Sequence, residues 1–210
     1  MRLDRAGLPF IGGALLPGLA LALAGRPRLA APFVALGGFM AYFFRDPDRE
    51  TPPDARAVLS PADGRVVAAG PADPLVAPPG VWQQVSVFLS PLDVHINRSP
   101  ASGRVTRIEY RPGRFLPAYD EAASTENEQT EIWIVGGGYT VVCRQIVGVL
   151  ARRIVCRITP GTTVRAGDRI GLMKFGSRMD VFVPGDFTLR IATGVRVRAG
   201  ETIIATPPDV

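Results

Sequence analysis

From Ala6 to Gly25 the chain carries no charged residue, and from Leu29 to Phe44 it again carries none. Only Gly-Arg-Pro-Arg, with Arg26 and Arg28, separates the two runs. Each is at or just under the roughly 20 residues that a helix needs to cross the hydrocarbon core of a bilayer. Runs this long and this apolar do not form the surface of a soluble domain. The N-terminus therefore predicts an apolar helical hairpin, either two tight spans or one re-entrant loop, with both ends on one side. The start, Met-Arg-Leu-Asp-Arg, has the basic character of a signal peptide. A second apolar run follows at once, however, and no convincing small-residue cleavage site appears, which argues against removal. Pro9, Pro17 and Pro32 predict helices that are kinked or short. Arginines precede, interrupt and follow the hairpin (Arg2 and Arg5, Arg26 and Arg28, Arg45 and Arg49), so the balance of positive charge does not orient it.

The pattern changes at 43–55, FFRDPDRETPPDA, where aromatic residues give way to charge and proline. This reads as an interface anchor and linker. It divides the chain into a hydrophobic membrane anchor, 1–45, and a second domain, 46–210. With 23 glycines and 20 prolines, the second domain suits many short strands joined by turns. Val- and Ile-rich stretches of period two predict strands at Arg65–Ala69, Val81–Leu89, Gly103–Tyr110, Glu131–Val135, Tyr139–Val147 and Val149–Ile158. Residues 117–130 form the one polar stretch, helical or mobile. A repeat at an offset of 33 residues, TVRAGDRIGLM (163–173) and RVRAGETIIAT (196–206), pairs two strand-turn-strand units. Such a pair resembles the barrel-sandwich folds of biotinyl and lipoyl carriers. The predicted fold class is mainly β, a sandwich or flattened barrel preceded by the apolar hairpin.

The formal charge is +5, and Lys174 is the only lysine among 24 basic residues. The arginines are scattered along strand-like segments and no nucleic-acid-reading motif accompanies them, so the expected partner is a membrane and not a nucleic acid. Cys143 and Cys156 each lie inside a β-branched stretch and read as small buried hydrophobes without a disulfide framework. That supports placing the second domain on the cytoplasmic side. No metal-ligand set stands out.

Three residues carry chemistry together, although each alone has a plainer reading. His95, in SPLDVHINRSP, is the only histidine and the only side chain with an ordinary pKa near neutrality; a lone histidine among strands is commonly structural. Ser177 follows Gly176 in KFGSRMD, and Gly-Ser is an ordinary turn pair. Asp63, in SPADGRV, precedes a glycine, another turn signal.

The order FFRDPDR, SPADGRV, FLSPLDVHINRSP, FGSRMDVFVP, however, is similar over nearly the whole chain to the short prokaryotic, membrane-associated form of phosphatidylserine decarboxylase. FGS stands where longer members of that family carry LGST. The resemblance implies that Ser177 attacks the carbonyl of Gly176, cutting the precursor into a β chain, 1–176, and an α chain, 177–210. The α chain would start with a pyruvoyl group derived from Ser177, the enzyme's covalent cofactor. It also implies His95 as general base and Asp63 as the carboxylate that orients it. Glycine at 176 permits close approach and unusual backbone angles. The pyruvoyl ketone would form a Schiff base with the amine of phosphatidylserine in the membrane, releasing carbon dioxide and leaving phosphatidylethanolamine. The implied assembly is an α/β heterodimer from one precursor, or a higher oligomer of it, at the cell membrane.

Longer relatives carry two histidines in a pattern like DYHxxH; here Arg98 stands in the second position, so one imidazole serves both reactions, or Arg98 or a water takes one of them. Arg98 is also the candidate for the lipid phosphate. Asn127, in Asn127-Glu128-Gln129, resembles the family's Asn-Glu-Arg element with glutamine in place of arginine, and is a candidate for orienting the headgroup. Two other classes stay open on the residues: a biotinyl- or lipoyl-like carrier using Lys174 in LMKF, and an inactive membrane-tethered homologue.

Overall fold

The computed structural model describes residues 2–54, 56–149 and 153–208. The chain divides into two compact units, one ending at Asp48 and the other starting at Arg49.

In the first unit, strand β1 (Arg2–Leu3) leads into helix α1 (Leu8–Leu23), and helix α2 (Pro27–Phe43) leads out into strand β2 (Arg45–Asp46). Pro9 and Pro27 lie in the first turns, where a missing N–H is harmless. The helices run unbroken through Pro17 and Pro32. They are short, 16 and 17 residues, or about 25 Å at 1.5 Å per residue. Gly25, at φ +71°, turns the chain between them. A methyl group on Gly37 would collide with the Leu15 side chain, and one on Gly18 would lie 3.0 Å from Phe33 Cβ. Small residues thus let the helices approach closely. β1 and β2 pair antiparallel, Arg2 opposite Asp46, so both ends of the expected hairpin lie side by side. Leu16, Leu19, Leu23, Leu29 and Val34 remain exposed.

The second unit is built from strands β3 (Val58–Leu59), β4 (Gly64–Pro71), β5 (Trp82–Leu89), β6 (Ile96–Arg98), β7 (Gly103–Arg111), β8 (Gln129–Gly136), β9 (Tyr139–Val147), β10 (Ile154–Cys156), β11 (Thr163–Val164), β12 (Arg169–Met173), β13 (Ser177–Pro184), β14 (Thr188–Leu189), β15 (Arg196–Val197) and β16 (Ile203–Thr206). Eight of them form one antiparallel sheet in the order β11-β7-β8-β9-β13-β5-β4-β15, curled into a half-barrel. Two three-stranded sheets, β10-β12-β6 and β14-β16-β3, contribute to the same core. It joins Val66, Val85, Val87, Ile132, Val141, Met179 and Val181 of the large sheet to Ile170 and Ile204 of the small ones. The mainly β class expected from the sequence is what forms. The expected strand 149–158 is confined to Ile154–Cys156 among the described residues; 150–152 lie outside them. In the polar stretch 117–130, a single helical turn, Ala123–Glu126, precedes β8.

The repeat has a structural meaning. Its first copy supplies β11, at one edge of the large sheet, and β12, in one small sheet. Its second supplies β15, at the opposite edge, and β16, in the other small sheet. A further repeat, not seen in the sequence reading, accompanies it: Ser60-Pro61-Ala62-Asp63-Gly64-Arg65-Val66 and Ser99-Pro100-Ala101-Ser102-Gly103-Arg104-Val105 differ at one position. Leu59 N–H donates to Pro100 O and Arg98 N–H to Pro61 O, both at 2.8 Å. Each copy thereby satisfies the other's backbone.

Candidate active site

Ser177 opens β13, the strand that lies between β5 and β9 in the middle of the large sheet, opposite Leu89 and Val147. The chain reaches it through two successive left-handed residues, Phe175 at φ +64° and Gly176 at φ +74°. For glycine this conformation is unstrained, but for phenylalanine it costs about 1–2 kcal/mol. Ser177 itself is fully buried, and its hydroxyl has no hydrogen-bond partner among the described residues. A buried hydroxyl left unpaired costs about 1–3 kcal/mol. The corner 175–177 is therefore held in a high-energy state by the strands around it.

His95 reaches this corner from the loop before β6. Its Nδ1 lies 2.9 Å from the carbonyl oxygen of Asp93, which can only accept, so Nδ1 carries the proton. The lone pair is thus on Nε2, which accepts from Gly176 N–H at 3.2 Å. A basic nitrogen lies one residue from the buried hydroxyl, in the tautomer a general base requires. The loop holding Asp93 is tied by its own side chain: Oδ2 accepts from Ser90 N–H at 2.8 Å and from Ser90 Oγ at 2.6 Å, and Oδ1 from Arg196 at 3.0 Å.

The hydrogen bonds of Asp63 go to other groups. Its Oδ2 accepts from Arg49 at 2.7 Å and its Oδ1 from Ala199 N–H at 2.8 Å. The twin repeat supplies the physical reason: Ser102, the counterpart of Asp63, accepts from Ala166 N–H at 2.9 Å, and Ala166 is the counterpart of Ala199. Position 63 thus caps the Val-Arg-Ala-Gly turn, as its counterpart does in the other half, while His95 Nδ1 donates to the main-chain oxygen of Asp93. Asn127 is likewise committed to the backbone. Its amide donates to Leu116 O and Val147 O and accepts from Leu116 N–H, all within 2.9 Å. It positions the loop beside the site and offers no N–H to a headgroup. Arg98 is buried, donates to Gly167 O at 2.8 Å, and faces a separate polar cavity of about 510 Å³ with Arg49, Thr162 and Arg169.

Two features beside the cut site were not anticipated. An apolar cavity of about 200 Å³ is lined by Phe88, Pro91, Pro117, Tyr119, Phe175 and Gly176 itself. Gly148, just past the end of β9, faces the Gly176 carbonyl: a Cβ there would lie 2.6 Å from Gly176 O. Gly148→Ala must displace that carbonyl, so self-cleavage is expected to slow by roughly 10²-fold, a 1 Å misplacement being worth that much. The measurement is the fraction of chain cut over time on a denaturing gel; wild-type kinetics would show that the close approach has no role.

The two thiols offer no rival nucleophile. Burial pushes the Cys143 thiol far up, with Cys156 and Glu131 adding to the effect. Burial also raises half-buried Cys156, against a hydrogen bond to Ile158 O. Among the described residues no cluster of His, Cys, Asp and Glu is arranged to hold a metal.

The comparisons with known proteins agree with one another. A sequence profile described as phosphatidylserine decarboxylase matches residues 36–205. A protein of Solibacter usitatus named phosphatidylserine decarboxylase proenzyme is 48% identical over 183 residues, 87% of this chain and 86% of the relative. Proteins of the same name from Pelodictyon phaeoclathratiforme and Geotalea daltonii are 47% and 44% identical, over 80% and 94% of this chain and 78% and 93% of theirs. With a buried serine just after a left-handed Phe-Gly corner, a histidine nitrogen accepting from that corner and these matches along its length, the chain belongs to the phosphatidylserine decarboxylase family.

Proposed function

We propose that the chain is a precursor that cuts itself between Gly176 and Ser177 and then decarboxylates phosphatidylserine with a pyruvoyl group made from Ser177. The observation that carries this reading is a buried Ser177 hydroxyl without a partner among the described residues, next to a left-handed Gly176 whose N–H donates to His95 Nε2. His95 takes the hydroxyl proton as Oγ bonds to the Gly176 carbonyl carbon. The C–N bond then breaks, the freed amine gains a proton, and an ester joins the two parts. Loss of the Cα proton expels the Gly176 carboxylate, and water replaces the nitrogen as ammonia, leaving the ketone. Each step relieves part of the cost of the corner, since both Phe175 and the buried hydroxyl leave their unfavourable states.

The residues fit the product. Position 177 is fully buried and enclosed between two strands. When present, the pyruvoyl group supplies an electrophilic carbonyl for the headgroup amine and an electron sink as carbon dioxide leaves. His95, kept neutral with its lone pair inward, is placed to move protons at that carbon. The apolar cavity beside Gly176 excludes water from a carboxylate that must lose its charge.

The membrane is the proposed location of the substrate. Arg5–Leu23 is long and apolar enough to cross a bilayer, and the exposed leucines of α1 and α2 have no polar complement. A cytoplasmic position for the second unit is supported by two free cysteines, Cys143 and Cys156. The cut chain is proposed to stay together as an α/β heterodimer. Removing residues 1–45 is expected to leave self-cleavage intact and to lower turnover of long-chain phosphatidylserine in vesicles at least roughly tenfold, through loss of local concentration. Equal turnover by the shortened protein would refute an anchoring role.

Intact mass spectrometry of the purified protein tests the central reading. Two chains are expected, one ending at Gly176 and one comprising 177–210 with a ketone in place of its amine. A single chain, in protein that turns over the lipid, would overturn it.

A further inference from the structure

Two side chains beneath the cut site are harder to explain than the site itself. Asn97 and Gln145 are both fully buried, and Gln145 Nε2 donates to Asn97 Oδ1 at 2.8 Å. Asn97 Nδ2 and Gln145 Oε1 then have no partner among the described residues. Turning both amides over changes nothing, because one donor and one acceptor are left over either way. Buried amides are almost always satisfied, so this pair is built to meet something that brings both an acceptor and a donor.

Its place in the fold says what. Asn97 lies in β6, two residues beyond His95. Gln145 lies opposite Met179, two residues along from the pairing of Ser177 with Val147. The pair is therefore the next rung inward from His95 and Ser177, between a small sheet and the large one. Successive same-side residues on a strand are roughly 7 Å apart. An α-amino acid held at residue 177 extends roughly 3 Å beyond its nitrogen and adds about 3 Å of hydrogen bond. An amide side chain one rung away has the length to close what remains. Gly171, opposite Asn97 in β12, is where the main chain of β10 and the Gln145 amide both come close: a Cβ on it would lie 2.2 Å from Val155 O and 3.0 Å from Gln145 Nε2.

On the decarboxylase reading above, we propose that Asn97 and Gln145 recognise the serine headgroup, the free amide N–H donating to its carboxylate and the free amide oxygen accepting from its amine. A neutral pair suits this task. It orients the carboxylate without a charge that would hold it back from leaving. Once carbon dioxide has gone, the ethanolamine headgroup leaves the donor unpaired again, so the pair discriminates substrate from product.

The test uses the full-length, self-processed enzyme with dihexanoyl phosphatidylserine carrying deuterated acyl chains and unlabelled dihexanoyl phosphatidylethanolamine at equal concentration. Cyanoborohydride fixes whichever amine is captured, and the mass of the 177–210 chain reports its source. The wild type is expected to favour the serine lipid. In Asn97→Leu with Gln145→Met, which removes both partners, and separately in the near-isosteric Asn97→Asp, the serine-to-ethanolamine adduct ratio is expected to fall at least roughly tenfold. Self-cleavage should proceed in both. An unchanged ratio in the variants overturns the assignment, as does failure of both to cut themselves, since the pair would then act on the precursor. Absence of any adduct in the wild type would instead sink the decarboxylase reading itself.

Discussion

Ser177→Ala should remain one 22.4 kDa chain with no reactive carbonyl and no turnover of the lipid. The effect is complete because the same oxygen is both the nucleophile of self-cleavage and the leaving atom of the elimination that follows. The fold should survive the change. Removing a buried hydroxyl that bonds to nothing among the described residues takes away a desolvation cost of about 1–3 kcal/mol without stranding a partner. The uncut variant is therefore expected to melt at or above the temperature of an uncut wild-type precursor, on a calorimeter or by circular dichroism. A gel that shows two bands for Ser177→Ala would mean that the backbone is cut by some other group.

His95→Gln is the second large effect. The glutamine amide can still meet Gly176 N–H, but it has no basic lone pair, so the rate of self-cleavage is expected to drop by about 10²–10⁴, the usual worth of a positioned base. The readout is the half-time of conversion followed by intact mass. Whatever fraction matures should also turn lipid over slowly, because the same ring is the only imidazole in the chain. If maturation runs at the wild-type rate while lipid turnover is lost, His95 belongs to the second reaction alone. Loss of cutting with full turnover in the matured fraction would assign it to the first.

Much of this arrangement is legible in the residues before any coordinate. The apolar runs, the period-two segments and the Val-Arg-Ala-Gly repeat predict an apolar helical hairpin and a mainly β domain, and both form. β13 escaped the reading because Arg178 and Asp180 interrupt its apolar pattern. They pair at 2.6 Å on the side facing away from the core, where Ser86 and the main chain of Asp120 cover them. Glu131 and Arg144 do the same on neighbouring strands. Paired charges inside a protein look like surface in a sequence. Gly176 and Ser177 are visible as a motif, but the left-handed turn at Phe175 is not, since it is imposed by the strands on either side. At Asp63 the motif says less than the fold. A motif supplied a carboxylate at the expected separation, and only the twin turn capped by Ser102 reveals what position 63 does locally. Asn97 and Gln145 gave no signal, because two amides in apolar strands are unremarkable until their partners are counted.

The segment after the cut carries β13, β14, β15 and β16, and so threads the middle and one edge of the large sheet and one small sheet. Such a chain is built by continuous folding before the bond is broken. Once it is broken, unfolding releases two molecules whose reunion depends on their concentration and on threading a central strand back between two others. On the proposed self-cleavage, maturation would therefore be a one-way passage: the molecule would gain its reactive group and give up its ability to refold unaided, making the persistence of the cut form a matter of how slowly it comes apart.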